Sequence, residues 1–225
     1  MLISDGWKVE SVNPVEVIDW MGNDNAICDA ARVSFHKKAE MFSVDKNASL
    51  LEYLARHDHW SPFAHGMLKF RFRAPIFIAR QFQKHTVGFA WNEVSRRYVD
   101  DDPTFWVPKT LRKRPPNMKQ GSVAEGEIDV TGQVFLNIVE PYADAVREYR
   151  DMLKTGICPE QARAFLPQSM MTEWIWTGSL QAWSRFVKLR ADDHAQAECH
   201  EFAHAVRQSM YDYFPLATNA LMENH

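Results

Sequence analysis

The stretch MLKFRFRAPIFIARQ, residues 67–81, changes its hydrophobic pattern halfway along. Apolar residues first alternate with lysine and arginine, so that Leu68, Phe70 and Phe72 share one face of a half-buried strand. Pro75 follows, and because proline is favoured in the first turn of a helix, IFIARQFQKH is predicted to be helical through residue 85. The stretch therefore predicts a strand that leads directly into a helix.

Helical periodicity dominates on both sides of this stretch. The predicted helices cover residues 23–35, 44–59, 133–156, 179–190 and 195–213. Asn23 or Asp24 is the predicted N-cap of the first helix, and MMTEWIWT, residues 170–177, is a predicted strand. Strands and helices mix without a regular β-α-β alternation, which predicts an α+β fold with helices packed on an antiparallel sheet.

The chain is predicted to form one domain. Its 225 residues are 46% hydrophobic and include eight tryptophans, which is enough to bury a sizeable core, so residues 1–225 are expected to form a single unit. Residues 108–127 are charged and rich in proline and glycine, and this composition predicts a mobile surface loop.

Charge and cysteine content narrow the possible functions. The net charge of −3 gives no global basic field, so neither nucleic acid nor an anionic membrane is an expected partner. The three cysteines are odd in number and widely spaced, which is typical of reduced thiols in the cytoplasm. Because no apolar run resembles a signal peptide or a membrane span, we expect a soluble cytoplasmic protein.

Residues 80–100 hold the densest group of polar side chains. RQFQKHTVGFAWNEVSRRYVD combines arginine, lysine and histidine with amides, a glutamate and a serine. Such a set suits a phosphorylated ligand with a hydrogen-bonding base. A solvated helix end followed by an exposed strand explains the same residues, since charge runs usually face water.

A second cationic group lies in the C-terminal half of the chain and contains Arg163, Arg185, Lys188, Arg190 and His194. Arg190 ends a predicted helix, where a cation can simply offset the partial charges of the last carbonyl groups. Taken alone, this group does not distinguish a binding site from an ordinary helix terminus.

HEFAH, residues 200–204, matches the H-E-x-x-H pattern by which a helix presents two zinc ligands and a general base. Glu223 is the available third ligand, although it lies close to the chain end, where residues commonly fray. The competing interpretation is a structural helix that packs its apolar stripe and leaves His200 and His204 to solvent or a neighbouring subunit. A zinc hydrolase is thus the alternative enzyme class, and otherwise no metal is expected.

An ordered series of short motifs covers much of the chain. KHT at 84–86 is followed by eight residues, Ser95, and RRY at 96–98. The other motifs, in order, are MGND (21–24), AARVSF (30–35), HWSPFAH (59–65), APIFIARQ (74–81), ARAFLP (162–167) and LRADDHAQ (189–196). The series resembles the flavin-dependent thymidylate synthases, whose signature is R-H-R, seven or eight residues, then Ser and commonly x-R-Y. Lys84 and Thr86 replace both signature arginines, so flavin affinity is the property most expected to differ.

The resemblance implies FAD-dependent reductive methylation of dUMP to dTMP. It also implies 5,10-methylenetetrahydrofolate as the carbon donor and NADPH as the reductant. Reduced flavin then supplies the hydride, while the protein orients and polarises the uracil. The same resemblance implies the family fold and a homotetramer whose active sites are shared between subunits.

The resemblance assigns site residues by matched position. Arg190 matches the catalytic arginine that binds the pyrimidine edge and favours its N3-ionised form. The matched dUMP-binding residues are Gln81, Lys84, Glu93, Val94, Ser95, Arg96, Arg97, Arg163 and Arg190. The matched FAD-binding residues are Ser34, His59, Ser61, Lys84, His85, Thr86, Glu93, Ser179, Gln181 and Arg185. Among these, Ser179, Gln181 and Arg185 stand where the family more usually has Asn, Arg and Asn.

Two alternatives stay open within the resemblance. The first is a nucleotide-binding relative that has lost catalysis through the changes at Lys84 and Thr86. The second is a sister reaction at C5 of the pyrimidine, such as hydroxymethyl transfer.

Overall fold

The computed structural model describes residues 15–99, 101–116 and 121–223. Within them, the strands are β1 (Val15–Met21), β2 (Met67–Pro75), β3 (Phe89–Glu93), β4 (Thr110–Lys113), β5 (Val123–Asp129) and β6 (Met171–Ser179). The helices are α1 (Asp24–Arg32), α2 (Val44–Arg56), α3 (Ile76–Phe82), α4 (Gly132–Lys154), α5 (Pro159–Ala162), α6 (Leu180–Arg190), α7 (His200–Tyr213) and α8 (Pro215–Glu223). None of these helices is both long and apolar enough to cross a lipid bilayer.

The chain packs as two compact units, each assembled from separate segments. Among the described residues, unit 1 contains residues 73–82 and 93–174, and unit 2 contains residues 15–72, 83–92 and 175–223. The single domain expected over residues 1–225 stays a prediction.

The larger sheet has four strands in the order β1-β2-β6-β3. Strand β1 pairs antiparallel with β2, with Met21 opposite Met67, and an irregularity in register interrupts the ladder before its other end. The alternation predicted for β2 is confirmed, because Leu68, Phe70 and Phe72 are fully buried. Helices and an antiparallel sheet in one chain confirm the predicted α+β class.

Aromatic side chains form the core of unit 2. The ring of Phe72 lies 5.4 Å from that of Trp176 and 6.0 Å from that of Trp183. Trp183 is fully buried, and its Nε1–H donates to the carbonyl oxygen of Leu68 at 3.1 Å. Buried aromatic rings contribute much of a core's stability, and here they also fix α6 against β2.

Helix α1 begins at the predicted place. The side chain of Asn23 accepts a hydrogen bond from the Ala26 amide at 3.0 Å, which makes Asn23 the N-cap. The next residue, Asp24, accepts hydrogen bonds from the amides of Leu216 at 3.0 Å and Ala217 at 2.9 Å. Asp24 therefore satisfies the first amides of α8, a helix nearly two hundred residues further along the chain.

Unit 1 is built on the long helix α4, which contains Pro141 in its interior. Its core cluster includes Phe105, Val139, Val146 and Met170, all buried. Strands β4 and β5 form a separate antiparallel hairpin in this unit.

Several sequence-based boundaries differ from the structure. The predicted loop at 108–127 contains β4 and most of β5, although its residues 117–120 lie outside the described residues. The predicted helix after Pro75 ends at Phe82 rather than residue 85. The last predicted helix begins at His200 instead of residue 195, after a short 3-10 turn, and is followed by the unpredicted helix α8.

Candidate functional site

A pocket with a volume of about 770 Å³ lies within unit 1. We call it the Arg163 pocket. Among the residues predicted to bind dUMP, it gathers Glu93, Val94, Arg96 and Arg163. The end of β3 and the short helix α5 thus bring together residues that lie about seventy positions apart in the sequence.

Hydrogen bonds orient the polar side chains of the Arg163 pocket. Thr172 Oγ1 donates to Glu93 Oε1 at 2.8 Å, so strand β6 fixes the carboxylate at the end of β3. Arg163 Nε donates to the carbonyl oxygen of Glu160 in α5 at 3.3 Å. Arg96 Nη1 lies 3.3 Å from Asp101 Oδ1 and also donates to the Asp101 carbonyl.

The pocket also contains residues that sequence reasoning did not assign to a site: Arg73, Glu160, Thr172 and Glu173. Arg73 lies on the cationic face of β2. The alternation of apolar and cationic residues along that strand could have indicated its place in a binding site. Thr172 and Glu173 lie inside a predicted strand, where nothing in their spacing separated a pocket-lining residue from any other strand residue.

Ser95 and Arg97 contact one another. Ser95 Oγ accepts hydrogen bonds from both the amide and Nε of Arg97, each at 3.3 Å. The Arg97 guanidinium lies 5.0 Å from the ring centroid of Tyr98, a cation–π distance. Their predicted contacts with a nucleotide remain predictions.

In unit 2, His85 and Arg190 form a pair. Arg190 Nε donates to His85 Nε2 at 3.0 Å, and the imidazole ring lies 5.2 Å from the ring of Phe186. Burial lowers the pKa of His85 from 6.5 to about 4, and the charges of Arg190 and Arg185 act in the same direction. A neutral imidazole is therefore the acceptor that holds the catalytic candidate Arg190 in place.

His85 and Thr86 line a second pocket, of about 300 Å³, together with Phe89 and Trp91. Next to it, the backbone of Gly88 contacts the start of α6, where the Ser179 amide donates to the Gly88 carbonyl at 3.1 Å. Gly88 has φ +82°, and a Cβ there would lie 3.0 Å from Ala182 Cβ. Glycine is thus required for this close approach.

A third pocket, also within unit 2, has a volume of about 260 Å³ and is called here the Arg185 pocket. It gathers three residues of the predicted FAD set, His59, Gln181 and Arg185. Arg185 Nη2 donates to the Val87 carbonyl at 3.2 Å, which places this guanidinium beside the segment that carries His85 and Thr86.

The remaining predicted residues lie outside these pockets. Ser34, Ser61 and Lys84 are exposed, and Gln81 lies on α3. Ser179 is buried and caps α6, because its Oγ accepts from the Ala182 amide at 3.2 Å. Ser179 therefore has a structural role as a helix cap, and this role does not depend on whether Ser179 also contacts a cofactor.

The HEFAH helix shows no zinc arrangement in the part of the chain that the structure describes. There, no group of three His, Cys, Asp or Glu residues is positioned to hold a metal. The rings of His200 and His204 are 6.3 Å apart, and His200 Nε2 contacts the Asp192 carbonyl oxygen at 3.1 Å. The buried residues Phe202, Ala203 and Val206 confirm the predicted apolar stripe of α7.

Comparison with known protein families gives a match over most of the chain. The sequence profile of the family described as "Thymidylate synthase complementing protein" matches residues 16–216. A flavin-dependent thymidylate synthase of Thermus thermophilus is 37% identical over 211 residues, which cover 93% of this chain and 76% of the relative. The corresponding enzyme of Kosmotoga olearia is 33% identical over 215 residues, covering 96% and 92%.

Two solved structures are similar over nearly the whole chain. A structure described as the UMP/dUMP methylase PolB from Streptomyces cacaoi bound with 5-Br dUMP has a TM-score of 0.82 and 30% sequence identity, covering 93% of this chain and 94% of that one. The same methylase bound with 5-Br UMP has a TM-score of 0.83 and 28% identity, covering 97% of both chains.

Proposed function

Because the chain belongs to the flavin-dependent thymidylate synthase family, we propose that it methylates dUMP at C5 to produce dTMP. One observation about the site supports this proposal most directly. Residues from two distant segments, which the family resemblance matched to dUMP, line one pocket of unit 1. A zinc hydrolase receives no comparable support from the described residues.

We assign nucleotide recognition to the Arg163 pocket. Guanidinium groups bind phosphate oxygens in a bidentate manner, and Arg73, Arg96 and Arg163 supply three of them. The Glu93 carboxylate, oriented by Thr172, accepts hydrogen bonds from hydroxyl or N–H groups. We also assign dUMP contacts to the other matched residues: Gln81, Lys84, Val94, Ser95, Arg97 and Arg190.

We assign the catalytic role to Arg190. A fixed cation beside the pyrimidine edge stabilises negative charge that develops on the ring, which makes C5 a better nucleophile. His85 contributes by accepting the Nε–H of Arg190, since this hydrogen bond fixes the plane of the guanidinium. A neutral His85 adds no competing positive charge to this task.

The chain offers groups that suit FAD. Among the residues that the structure describes, Gln181 Oε1 is buried without a hydrogen-bond partner and is thus suited to an N–H donor, while Arg185 provides a cation for a phosphate. When bound, reduced flavin supplies the hydride for the methyl group. We propose His59, His85, Thr86, Gln181 and Arg185 as its main contacts. The other proposed FAD contacts are Ser34, Ser61, Lys84, Glu93 and Ser179.

The remaining components of the reaction follow from the same family. We propose 5,10-methylenetetrahydrofolate as the carbon donor, NADPH as the reductant, and a homotetramer with shared active sites. We also propose that the reaction takes place in the cytoplasm, where the three cysteines, all free in the structure, would remain reduced.

The proposal is tested by the release of tritium from 5-tritiated dUMP. The purified chain is supplied with methylenetetrahydrofolate and NADPH, with and without FAD, and the nucleotide product is identified by mass. We expect release that depends on FAD and dTMP as the product. Binding of dUMP without any release, in folded protein, would instead identify a relative that has lost catalysis.

Product mass separates two further outcomes. A product heavier than dTMP by one oxygen atom would indicate hydroxymethyl transfer. An arm with 5-tritiated UMP is included because the similar solved structures are of a UMP/dUMP methylase.

A further inference from the structure

Among the residues that the structure describes, the carboxylates that line the Arg163 pocket outnumber its guanidinium groups. The carboxylates belong to Glu93, Asp101, Asp102, Glu160 and Glu173, and the guanidinium groups to Arg73, Arg96 and Arg163. A phosphate monoester carries about two negative charges at neutral pH, so this surface repels it unless a guanidinium is available to bind it. The contacts of each arginine therefore influence how tightly a nucleotide binds.

Arg96 is paired with an exposed carboxylate. Its Nη1 lies 3.3 Å from Asp101 Oδ1, and the same nitrogen donates to the Asp101 carbonyl oxygen. The Arg96 side chain is 13% exposed, whereas that of Asp101 is 72% exposed. The guanidinium is thus held in the pocket wall, while the carboxylate lies where water can solvate it. Because an ion pair with an exposed partner is weak, a second anion can replace this carboxylate at Arg96.

A bidentate ion pair fixes the chain next to Asp101. Arg150 Nε donates to Asp102 Oδ1 at 2.8 Å, and Arg150 Nη2 lies 2.7 Å from Asp102 Oδ2. Two parallel contacts of this kind hold a carboxylate in one geometry, and here they join the segment to α4. The Asp101 carbonyl can therefore keep its hydrogen bond with Arg96 while the Asp101 side chain rotates towards water.

Glu93 lacks this freedom of movement. Its carboxylate accepts a hydrogen bond from Thr172 Oγ1 at 2.8 Å, and Thr172 is a buried residue of β6. Glu93 is thus suited to contact a ligand from a fixed position, whereas the Asp101 carboxylate can exchange between Arg96 and solvent.

We propose that Asp101 is a specificity-determining residue, whose carboxylate competes with the nucleotide phosphate for Arg96. Before a nucleotide binds, the carboxylate neutralises the guanidinium. On binding, the phosphate takes its place and the carboxylate turns to solvent. Anions that bind Arg96 more weakly than this carboxylate are excluded, which is specificity through a competing contact.

The competition lowers the affinity for dUMP and for dTMP alike, so Asp101 also limits how tightly the product is retained. A nucleoside has no phosphate and leaves the Asp101–Arg96 pair intact. The inference rests on the proposed function for its ligand, dUMP, and it adds to the nucleotide site a residue that none of the matched positions includes.

Isothermal titration calorimetry of the full chain with dUMP and with deoxyuridine tests the proposal. Asp101→Asn keeps the shape of the side chain and removes its charge. The control Asp144→Asn removes a carboxylate of similar exposure, 68%, from an ion pair with Arg147 on α4. We expect Asp101→Asn to strengthen dUMP binding about two- to fivefold, the range expected for an exposed ion pair, and to leave deoxyuridine binding unchanged. Asp144→Asn should change neither.

A double-mutant cycle with Arg96→Gln separates direct competition from the general charge of the pocket. We expect Arg96→Gln to weaken dUMP binding, and Asp101→Asn to have no further effect once Arg96 is absent. An equal gain from Asp101→Asn in both backgrounds would show a general effect of charge and would overturn the proposal.

Two other results would also overturn it: unchanged or weaker dUMP binding in Asp101→Asn, and an equal gain in affinity for deoxyuridine. If Asp101→Asn does not fold, Asp101→Ser, which also removes the charge, is measured in its place. Binding is measured without folate or reductant, so a chain that binds dUMP but makes no dTMP contradicts the proposed function alone. Absence of dUMP binding in the folded wild-type chain would overturn both.

Discussion

Arg190 and His85 are 105 positions apart in the sequence, and their side chains meet at 3.0 Å. The segment that resembles the family signature and the last turn of α6 thus each contribute one side chain to a hydrogen-bonded pair. In this pair an uncharged imidazole orients a charged guanidinium. Motif spacing pointed to each residue separately. It did not indicate that one is the hydrogen-bond partner of the other, because that contact depends on how α6 packs.

Arg190→Ala tests the catalytic role at the scale of one side chain. We expect dTMP formation to fall by a factor of about 10² to 10³, as when a preorganised electrostatic contact is removed from a transition state. The melting temperature should change little, because Arg190 occupies the last turn of α6. Arg207→Ala, at an exposed position on α7, is the matched control and should retain activity. Near-normal turnover in Arg190→Ala would refute the assignment.

The pKa of His85 predicts a pH dependence of stability. Because folding lowers this pKa from 6.5 to about 4, the unfolded chain binds a proton between these values that the folded chain does not. The contribution is fully present above pH 6.5 and is lost as the pH falls through about 4. Urea unfolding at pH 7 and pH 5 should therefore show a smaller loss of stability in His85→Gln than in wild-type protein. An NMR titration of His85 with a midpoint near 6.5 would contradict this.

At the scale of elements, the first turn of α6 supports the site. Ser179 caps this helix, and its amide also bonds to Gly88, so the helix start and the segment that carries His85 are held together. Replacement of the cap residue Ser179 should therefore lower the free energy of unfolding while leaving ligand affinity largely unchanged.

Ser179→Ala should lower the free energy of unfolding by about 1 kcal/mol, the usual contribution of an N-cap. Ser43→Ala, which removes the cap of α2, provides the matched comparison. If Ser179 acts as a cap, both variants lose similar stability in denaturant titrations, and FAD affinity stays within a few-fold of wild type. A large and selective loss of FAD affinity in Ser179→Ala would show a direct role in the cofactor site.

Elements with one buried face were predictable, and elements without one were not. Strand β2 alternates because one side meets the aromatic core, and α7 shows its stripe for the same reason. Helix α8 buries Ala217, Thr218, Ala220 and Leu221, so its short sequence has no polar face to mark a period. The β4–β5 hairpin is largely exposed, and its charged composition was read as a loop.

Four residues of the predicted dUMP set lie together, but the sequence did not predict how the candidate site residues would be grouped. Glu93, Val94, Arg96 and Arg163 do line one pocket. The predicted FAD set divides between two pockets of unit 2, a helix cap, exposed positions and, for Glu93, the Arg163 pocket of unit 1. Matching the motifs places these residues in order along the chain. Their division between pockets depends on which side chains the folded backbone directs into each pocket.

At the scale of the whole molecule, the proposed tetramer makes a measurable prediction. Sedimentation equilibrium should give four times the chain mass of 26.1 kDa. If the active sites are shared between subunits, activity per chain should fall on dilution at the same concentration at which the mass falls. A monomer that retains full activity would refute shared sites.

The bond from Asp24 to the amides of Leu216 and Ala217 sets an order on biosynthesis. Asp24 is synthesised nearly two hundred residues before α8, so this carboxylate lacks its donors until that helix has been translated. Unit 2 also combines residues 15–72 with residues 175–223. Unit 2 therefore completes its folding only after α8 has been synthesised, and a stop codon before Pro215 would leave the Asp24 carboxylate without the two amides that bind it.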